Sequence, residues 1–363
     1  MITNVIFTGG GTGGHLYPGL AIARALVRVR PDVRPFFVGA QRGIEREILP
    51  TTEFPHLLLD LHPLYRPQVW KNWRTVRGAL RGWGALHALA RERKPALVVG
   101  TGGYAAALTS AWAAAQGIPF VQHIGDAIPG ITARWSARLA RESYLGYPEA
   151  ERFLPHNGCS YRDTGNPIEP PPDIAPTGAA ARARWGIPAA ATVLLVFGGS
   201  QGAHAINRAV AAWVERGLPK GVCLLWATGK AHYDAFKQLD RPDVRVLRYL
   251  APIGEAYAAA DLALVRGGMM GSSELCAWGV PMVIVPLPSA ANDHQTANAR
   301  VLEAAGAARY LAEGDLSVQT LDDLVGGLLT DQPARSAMAA AAHRRGRPRA
   351  AAEIAAHIAR LLG

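Results

Sequence analysis

A chain of 363 residues is longer than one hydrophobic core ordinarily supports, so two domains are expected, and 49% hydrophobic with 18% charged residues excludes wholesale disorder. The formal charge of +10 is uneven: residues 1–166 carry 19 Lys and Arg against 11 Asp and Glu, residues 167–363 carry 19 against 17, so the first half is expected to face something anionic. Cys159, Cys223 and Cys276 form no CxxC and no even-numbered framework, which excludes a disulfide scaffold and speaks for a reducing compartment without a structural metal.

The strand at 2–7 opens the chain without a basic, apolar, small-residue leader, so no signal peptide is expected. Apolar runs at 5–7, 36–38, 97–99, 120–122 and 144–145 read as strands, with helical segments such as 19–29 and 105–116 between them. No residue from Pro95 to Gln122 is charged, a length that meets the spanning criterion for a bilayer. Gly100, Gly102, Gly103, Gly117 and Pro119 divide that stretch into strand, turn, Ala-rich helix, turn and strand, so a buried βαβ unit is expected instead. Gly165-Asn-Pro-Ile-Glu-Pro-Pro-Pro-Asp173 then reads as a stiff, exposed connector. A second series follows, with strands at 193–197, 224–227, 244–247, 262–265 and 282–285 and helices such as 206–216 and 296–305. A last helix near 350–362 has a face that suits either domain.

Alternation of this kind makes parallel sheets with right-handed crossovers, hence two doubly wound, Rossmann-like α/β domains. The expected limits are 1–164 for the first domain, 165–175 for a linker, 176–345 for the second domain and 346–363 for the unplaced helix. Three glycine-rich turns each follow a strand: Thr8-Gly-Gly-Gly-Thr-Gly-Gly-His15, Gly100-Thr-Gly-Gly-Tyr104 and Gly198-Gly-Ser-Gln-Gly202. Such turns let backbone approach a ligand without Cβ interference and aim N–H groups at an anion on a helix N-terminus. Two facing sheets so equipped point to a nucleotide-dependent enzyme with its site in a cleft. A plain tight βα turn is the alternative at each.

Gly9-Gly-Gly-Thr-Gly-Gly-His-Leu-Tyr-Pro-Gly-Leu-Ala21 resembles the opening of the MurG family of glycosyltransferases. The resemblance continues, in order, through Gly102-Gly-Tyr104, Gly165-Asn-Pro167, Gly198-Gly-Ser-Gln-Gly202, Gly229-Lys230, Arg266 with Gly268, Ser273-Glu274 and Asp293-His-Gln-Thr-Ala-Asn-Ala299. It covers residues 1 to about 310, and the ordered set is far more specific than a lone glycine loop. It implies the GT-B fold, two Rossmann-like domains facing across a cleft. The implied reaction is inverting transfer of N-acetylglucosamine from UDP-GlcNAc to the muramyl 4-hydroxyl of undecaprenyl-pyrophosphoryl-MurNAc-pentapeptide, at the cytoplasmic face of the membrane and without a cofactor.

For the donor, the resemblance implies contacts from Thr12, Gly13, Gly14, Gly199, Ser200, Gln201, Leu250, Arg266, Met269, Met270, Gly271, Glu274 and Gln295. The amides of Gly199, Gln201 and Gly202 with Ser200 suit a pyrophosphate whose charge grows as the anomeric bond breaks. Glu274 is expected on the ribose hydroxyls, or else as a favourable acid in the first turn of a helix starting near Ser272. Gln295, ahead of the next helix, is expected on the sugar hydroxyls, since an amide donates and accepts at once. Gly102, Gly103 and Tyr104, like Gly9–Gly14 with His15, are expected to face the acceptor and its pyrophosphate. His15 is read either as the general base or as a ring that fastens the loop by a backbone hydrogen bond. No Asp-x-Asp triplet is present to carry a divalent ion.

Three departures from the family pattern stand out. His123-Ile-Gly-Asp126 replaces His-Glu-Gln-Asn, which makes Asp126 a second candidate for the base or an acceptor contact. Glu169 stands where an arginine near the phosphates is usual, so Arg162 or Arg266 is expected to substitute. Met269-Met-Gly-Ser272 alters the nucleotide rim, which keeps alive a glycolipid synthase using another UDP-sugar; a UDP-GlcNAc epimerase-like enzyme is a further alternative.

From Tyr65 to Lys94, aromatic Tyr65, Trp70, Trp73 and Trp83 interleave with Arg66, Lys71, Arg74, Arg77, Arg81, Arg91, Arg93 and Lys94, with Glu92 the one acid. That pattern suits a helix pressing rings among anionic lipid headgroups, each cation contributing about 1 kcal/mol, with Trp70, Trp73, Arg74 and Arg77 as the membrane contacts. The alternatives are a solvated helix with buried tryptophans and a nucleic-acid patch; with no base-reading module present, no nucleic-acid partner is expected.

Overall fold

The computed structural model describes residues 2–62, 70, 72–156, 158–199 and 202–363. Tyr65, Arg66, Lys71, Ser200 and Gln201 lie outside the described residues. The chain divides into two compact units, Met1–Glu169 with Arg349–Gly363, and Pro170–Pro348.

The first unit is built on a seven-stranded sheet of β1 (Thr3–Thr8), β2 (Val33–Ala40), β3 (His56–Leu59), β4 (Leu97–Gly100), β5 (Phe120–Ile124), β6 (Glu142–Leu145) and β7 (Ser160–Asp163). Its order is β3-β2-β1-β4-β5-β6-β7 and every pairing is parallel. A parallel sheet needs cover on both faces, and successive side chains of β1 supply it. Val5 and Phe7 pack with Leu20, Ile22 and Leu26 of the helix Gly13–Val29, whereas Ile6 joins Val98, Leu86 and Trp112 beneath the helices Asn72–Arg93 and Gly103–Ala115. The last helix, Ala350–Leu361, also belongs here: Ile354, Ala355 and Ile358 are buried in the Val5–Phe7 core. The chain therefore returns to its first unit after completing the second.

The second unit carries β8 (Thr192–Phe197), β9 (Val222–Ala227), β10 (Val244–Leu247), β11 (Leu262–Val265), β12 (Met282–Ile284) and β13 (Ala308–Tyr310) in the parallel order β10-β9-β8-β11-β12-β13. Its core gathers Leu194, Val196, Val210, Trp213, Trp226 and Leu264.

Several sequence expectations shift. The helices start two to six residues early, at Gly13, Gly103, His204 and His294; the first two begin inside their glycine turns, and Pro18 sits within the first helix rather than ahead of it. Gly165–Ile168 are buried in the first unit, with Asn166 Nδ2 donating to the Gly125 carbonyl at 3.1 Å, so the exposed connector begins at Glu169. The uncharged 95–122 stretch is β4, a 13-residue helix and the start of β5, and among the described residues no helix is long and apolar enough to cross a membrane.

His123, on β5, is 2% exposed, and burial pushes its pKa down to about 3 from the ordinary 6.5, with Asn166 pulling the other way and the charge of His15 adding to the depression. The unfolded imidazole takes its proton near 6.5 and the folded one near 3. This contribution to stability is therefore complete above pH 6.5 and is lost as pH falls toward 3. Urea unfolding at pH 7.5 and pH 5.0 checks this: the wild type should lose about 2 kcal/mol more between the two than His123→Gln, from 1.36 kcal/mol per pH unit. Equal losses would contradict it.

Candidate functional site

Both sheets reverse their winding between adjacent strands, β1 and β4 in the first unit and β8 and β11 in the second. Open α/β sheets bind ligands beyond the carboxyl ends of strands at such a point. The three glycine turns follow β1, β4 and β8, and Arg266-Gly-Gly268 follows β11, so each switch point is lined by two of these turns.

In the first unit the two turns interlock. Gly10, Gly11, Gly102 and Gly103 all have positive φ, and a Cβ on Gly103 would stand 2.3 Å from the Gly10 carbonyl oxygen. The Gly10 N–H donates to the Gly102 carbonyl at 3.3 Å, and Thr101 Oγ1 donates to the His15 carbonyl at 2.6 Å. His15 is the third residue of its helix. Its Nδ1 lies 3.1 Å from the Gly10 carbonyl and 3.4 Å from Thr12 Oγ1, and its ring covers Gly102, where a Cβ would meet Cδ2 at 2.5 Å. A proton on Nδ1 donated to Gly10 leaves the lone pair on Nε2, so fastening the loop and acting as a base are compatible in one tautomer. Tyr104 is the second residue of the Gly103–Ala115 helix, its ring 3.7 Å from where a Cβ on Gly11 would lie. Asp126 stands two residues beyond β5 on the same sheet edge.

Sequence reading missed Glu45. This carboxylate is fully buried, accepts the Gly11 N–H at 2.9 Å through one oxygen and the Ala40 N–H at 3.1 Å through the other, and no cation pairs with it among the described residues. Cβ atoms on Gly10, Gly39 or Gly43 would fall 1.8, 2.9 and 1.9 Å from its atoms, so three glycines make its room. The cluster Gly39, Gly43, Glu45 close behind a strand was the available signal.

In the second unit, Gly199 has φ +86° and, among the described residues, nothing within 4 Å of where its Cβ would lie, whereas Gly202 is pressed on the Thr228 carbonyl, which a Cβ would meet at 2.0 Å. The buried Asn207 fastens the helix His204–Arg216 behind this turn: its Nδ2 donates to the Thr228 carbonyl at 2.8 Å and its Oδ1 accepts Trp226 Nε1 at 3.0 Å. No acid lies in the helix's first turn, which suits an anion there. Ser200 and Gln201 lie outside the described residues.

The helix Met269–Trp278 begins at Met269, so Glu274 sits in its second turn and the first-turn alternative falls. Glu274 accepts the Tyr257 hydroxyl at 2.6 Å; burial, with the carboxylate's charge, pushes the Tyr257 pKa well above the usual range. Met269 is buried, Met270 and Gly271 are half-buried, and Gly271 faces the Phe197 ring, which a Cβ would meet at 3.4 Å. Leu250, past β10, is 3% exposed. Gln295 is the second residue of the helix His294–Ala304, not ahead of it; its Oε1 accepts the Leu287 N–H at 3.0 Å and its carbonyl crowds Gly267. Just before it, Asn292 and Asp293 both hold positive φ, a costly pair for residues with side chains.

The two cations expected to replace the arginine at Glu169 are engaged elsewhere. Arg162 bonds Glu142 at 2.8 Å, and Arg266 donates to the carbonyls of Val285 and Pro286 and pairs with Glu313 at 2.5 Å. Glu169 is exposed, and its charge falls on Arg24. On the helix Asn72–Arg93, Gly78, Gly82, Leu86 and Leu89 form the buried face and Trp83 packs against the core, but Trp70 and Trp73 are 70% and 56% exposed, with Val76 and Leu80 beside them. The reading of buried tryptophans thus fits Trp83 only in part, since it is half-buried, and does not fit the other two.

Residues 5–145 match the glycosyltransferase family 28 N-terminal domain and residues 193–354 the family 28 C-terminal domain. Two curated relatives, from Salinibacter ruber and Moorella thermoacetica, are named UDP-N-acetylglucosamine–N-acetylmuramyl-(pentapeptide) pyrophosphoryl-undecaprenol N-acetylglucosamine transferase. They are 40% and 38% identical, over 97% and 95% of this chain and 95% of each relative. Among solved structures, Acinetobacter baumannii MurG is similar with a TM-score of 0.77 and 26% identity over 99% of both chains. A kitacinnamycin glycotransferase (TM-score 0.73, 20% identity, 100% of this chain and 99% of that one) shares the GT-B fold. A putative UDP-N-acetylglucosamine 2-epimerase from Listeria monocytogenes (0.68, 14%, 99% and 96%) shares the fold alone. With full-length identity of this order and both domain models matched in sequence, the chain belongs to the MurG-type enzymes of glycosyltransferase family 28.

Proposed function

We propose that the chain transfers N-acetylglucosamine from UDP-GlcNAc to the 4-hydroxyl of the lipid-linked muramyl-pentapeptide, as its relatives' names describe. The observation that carries this reading is the second switch point. An open glycine turn at a helix N-terminus, a half-buried carboxylate held by Tyr257, and Gln295 all stand on one sheet edge. Those are the parts a UDP-sugar requires: N–H groups for the diphosphate, an acceptor for the ribose hydroxyls and an amide for the sugar hydroxyls. Leu250 and Met269–Gly271 line the rim for the base.

In the reaction the muramyl hydroxyl attacks the anomeric carbon as the bond to the diphosphate breaks. His15 takes the hydroxyl proton on Nε2, and the negative charge gathering on UDP is met by the Gly198–Gly202 amides. Gly102, Gly103 and Tyr104 hold the acceptor sugar beside His15, with Asp126 on the same edge. Thr12, Gly13 and Gly14, at the start of the His15 helix, complete the sugar contacts.

Attachment to the cytoplasmic face of the membrane is part of the same proposal. Trp73, Val76 and Leu80 recur at helical spacing and are all more than half exposed, and Arg74 and Arg77 run beside them. Rings among headgroups with cations on anionic lipid is the chemistry such a pair of stripes supports.

Incubation with labelled UDP-GlcNAc and the lipid-linked muramyl-pentapeptide should give a labelled disaccharide lipid; transfer only from another UDP-sugar would overturn the donor assignment. His15→Ala should lower kcat about 10²- to 10⁴-fold with UDP binding unchanged, and full turnover would move the base to Asp126. In liposome flotation with anionic vesicles, Trp70→Ala/Trp73→Ala should release most of the protein. Undiminished flotation would count against the aromatic stripe.

A further inference from the structure

We propose that Tyr257 is a positioning residue for the nucleotide: its hydroxyl fixes the Glu274 carboxylate for the ribose diol and so makes the enzyme select ribose over 2′-deoxyribose donors. This rests on the donor reading above, in which Glu274 meets the ribose, and adds to it the residue that sets the selection. Tyr257 lies on the helix Ile253–Ala259 and Glu274 on the helix Met269–Trp278, 17 residues apart, and the phenol donates to Glu274 Oε2 at 2.6 Å. A phenylalanine would fill the same space. Tyr257 is 2% exposed, and a hydroxyl at that depth is costly unless it is bonded, so the carboxylate accounts for its presence there.

The surroundings hold that bond in one geometry. The Tyr257 ring is flanked by Phe197, at 6.1 Å between centroids and tilted by 50°, and by Trp278, at 6.2 Å and 53°. Gly254, on the Tyr257 helix, gives Trp278 its room, since a Cβ there would meet the indole at 3.2 Å. Gly271, Glu274 and Trp278 fall on one stripe of their helix. Gly271 faces Phe197 and Trp278 faces Tyr257, so the carboxylate stands between two packed contacts with the hydroxyl aimed at it. Phe197 is the last residue of β8 and leads into the Gly198–Gly202 turn, so the same rings join the ribose acid to the turn proposed for the diphosphate. Burial, with the charge of Glu274, raises the Tyr257 pKa well above the usual range, so the phenol keeps its proton and donates at every working pH.

Ribose brings two neighbouring hydroxyls, and a carboxylate accepts from both when it is held at the right angle. Ordering a loose side chain on binding costs affinity, and Tyr257 has ordered this one beforehand. A 2′-deoxyribose supplies one donor fewer and leaves a half-buried acceptor short of a hydrogen bond. Rotation of an unheld Glu274 would let it follow the remaining hydroxyl and blur the difference.

The test uses the full chain with UDP-GlcNAc and its 2′-deoxyribose analogue as donors. The wild type should favour the ribose donor about ten-fold or more in kcat/KM. Tyr257→Phe should raise the UDP-GlcNAc KM about ten-fold, move kcat less than about two-fold, and bring the two donors within about two-fold of each other. In a Glu274→Ala background the same change should have no further effect on KM. A Tyr257→Phe variant that keeps the wild-type preference overturns the proposal even where its melting temperature falls, since a purely structural role moves stability and not the ratio. So does a wild type that uses both donors equally. If the wild type transfers no sugar at all, the activity reading fails. Calorimetric titration of UDP and 2′-deoxy-UDP into wild type and Tyr257→Phe then decides the role of Tyr257 by itself, equal ratios in the two proteins overturning it.

Discussion

The carboxylate of Glu45, buried with no cation paired to it among the described residues and bonded to the Gly11 and Ala40 amides, is the interaction on which the first unit's site depends. An ionised group in that position is costly unless its oxygens are satisfied, and charge-assisted bonds from two N–H groups on different segments satisfy them while tying the β1 turn to the end of β2. The same bond fixes where His15 goes: Gly10 and Gly11 are set by Glu45, and Gly10's carbonyl in turn receives the imidazole Nδ1. Gly10, Gly39 and Gly43 are glycines because this side chain fills the space their Cβ atoms would need.

From that constraint follows an asymmetry between two turns that look alike as sequence. The β1 turn carries its own internal anion; the β8 turn, among the described residues, has nothing packed on Gly199. In the proposed reaction the first serves as a rigid mount for a proton-accepting ring and the second as an electrostatic receptor for a leaving diphosphate.

Ten of the thirteen strands were legible because each contains an apolar run. The three missed, β3, β7 and β13, are short sheet-edge strands with at most one buried residue each, and Ser160–Asp163 has no apolar run to read. The helices at Gly13 and Gly103 were read late because glycine and proline argue against helix, while here they lie within first and second turns. The glycine turns were visible from motif and spacing, and His15, Glu274 and Gln295 were singled out as candidates with the help of the family resemblance. Glu45 was not, because its role comes from three glycines that fold around it. Nor could sequence tell that Arg162 and Arg266 are engaged by Glu142 and Glu313, since those partners lie 20 and 47 residues away and only the fold brings them together.

The central claim, that one glycine turn is already filled by a carboxylate and the other awaits a diphosphate, is tested most directly by amide hydrogen exchange with and without UDP. The Gly11 amide should exchange slowly in the free protein and be unaffected by UDP, while the Gly199 amide should exchange fast and slow down when UDP is added. A fast Gly11 amide that UDP protects, with Gly199 indifferent, would contradict the account.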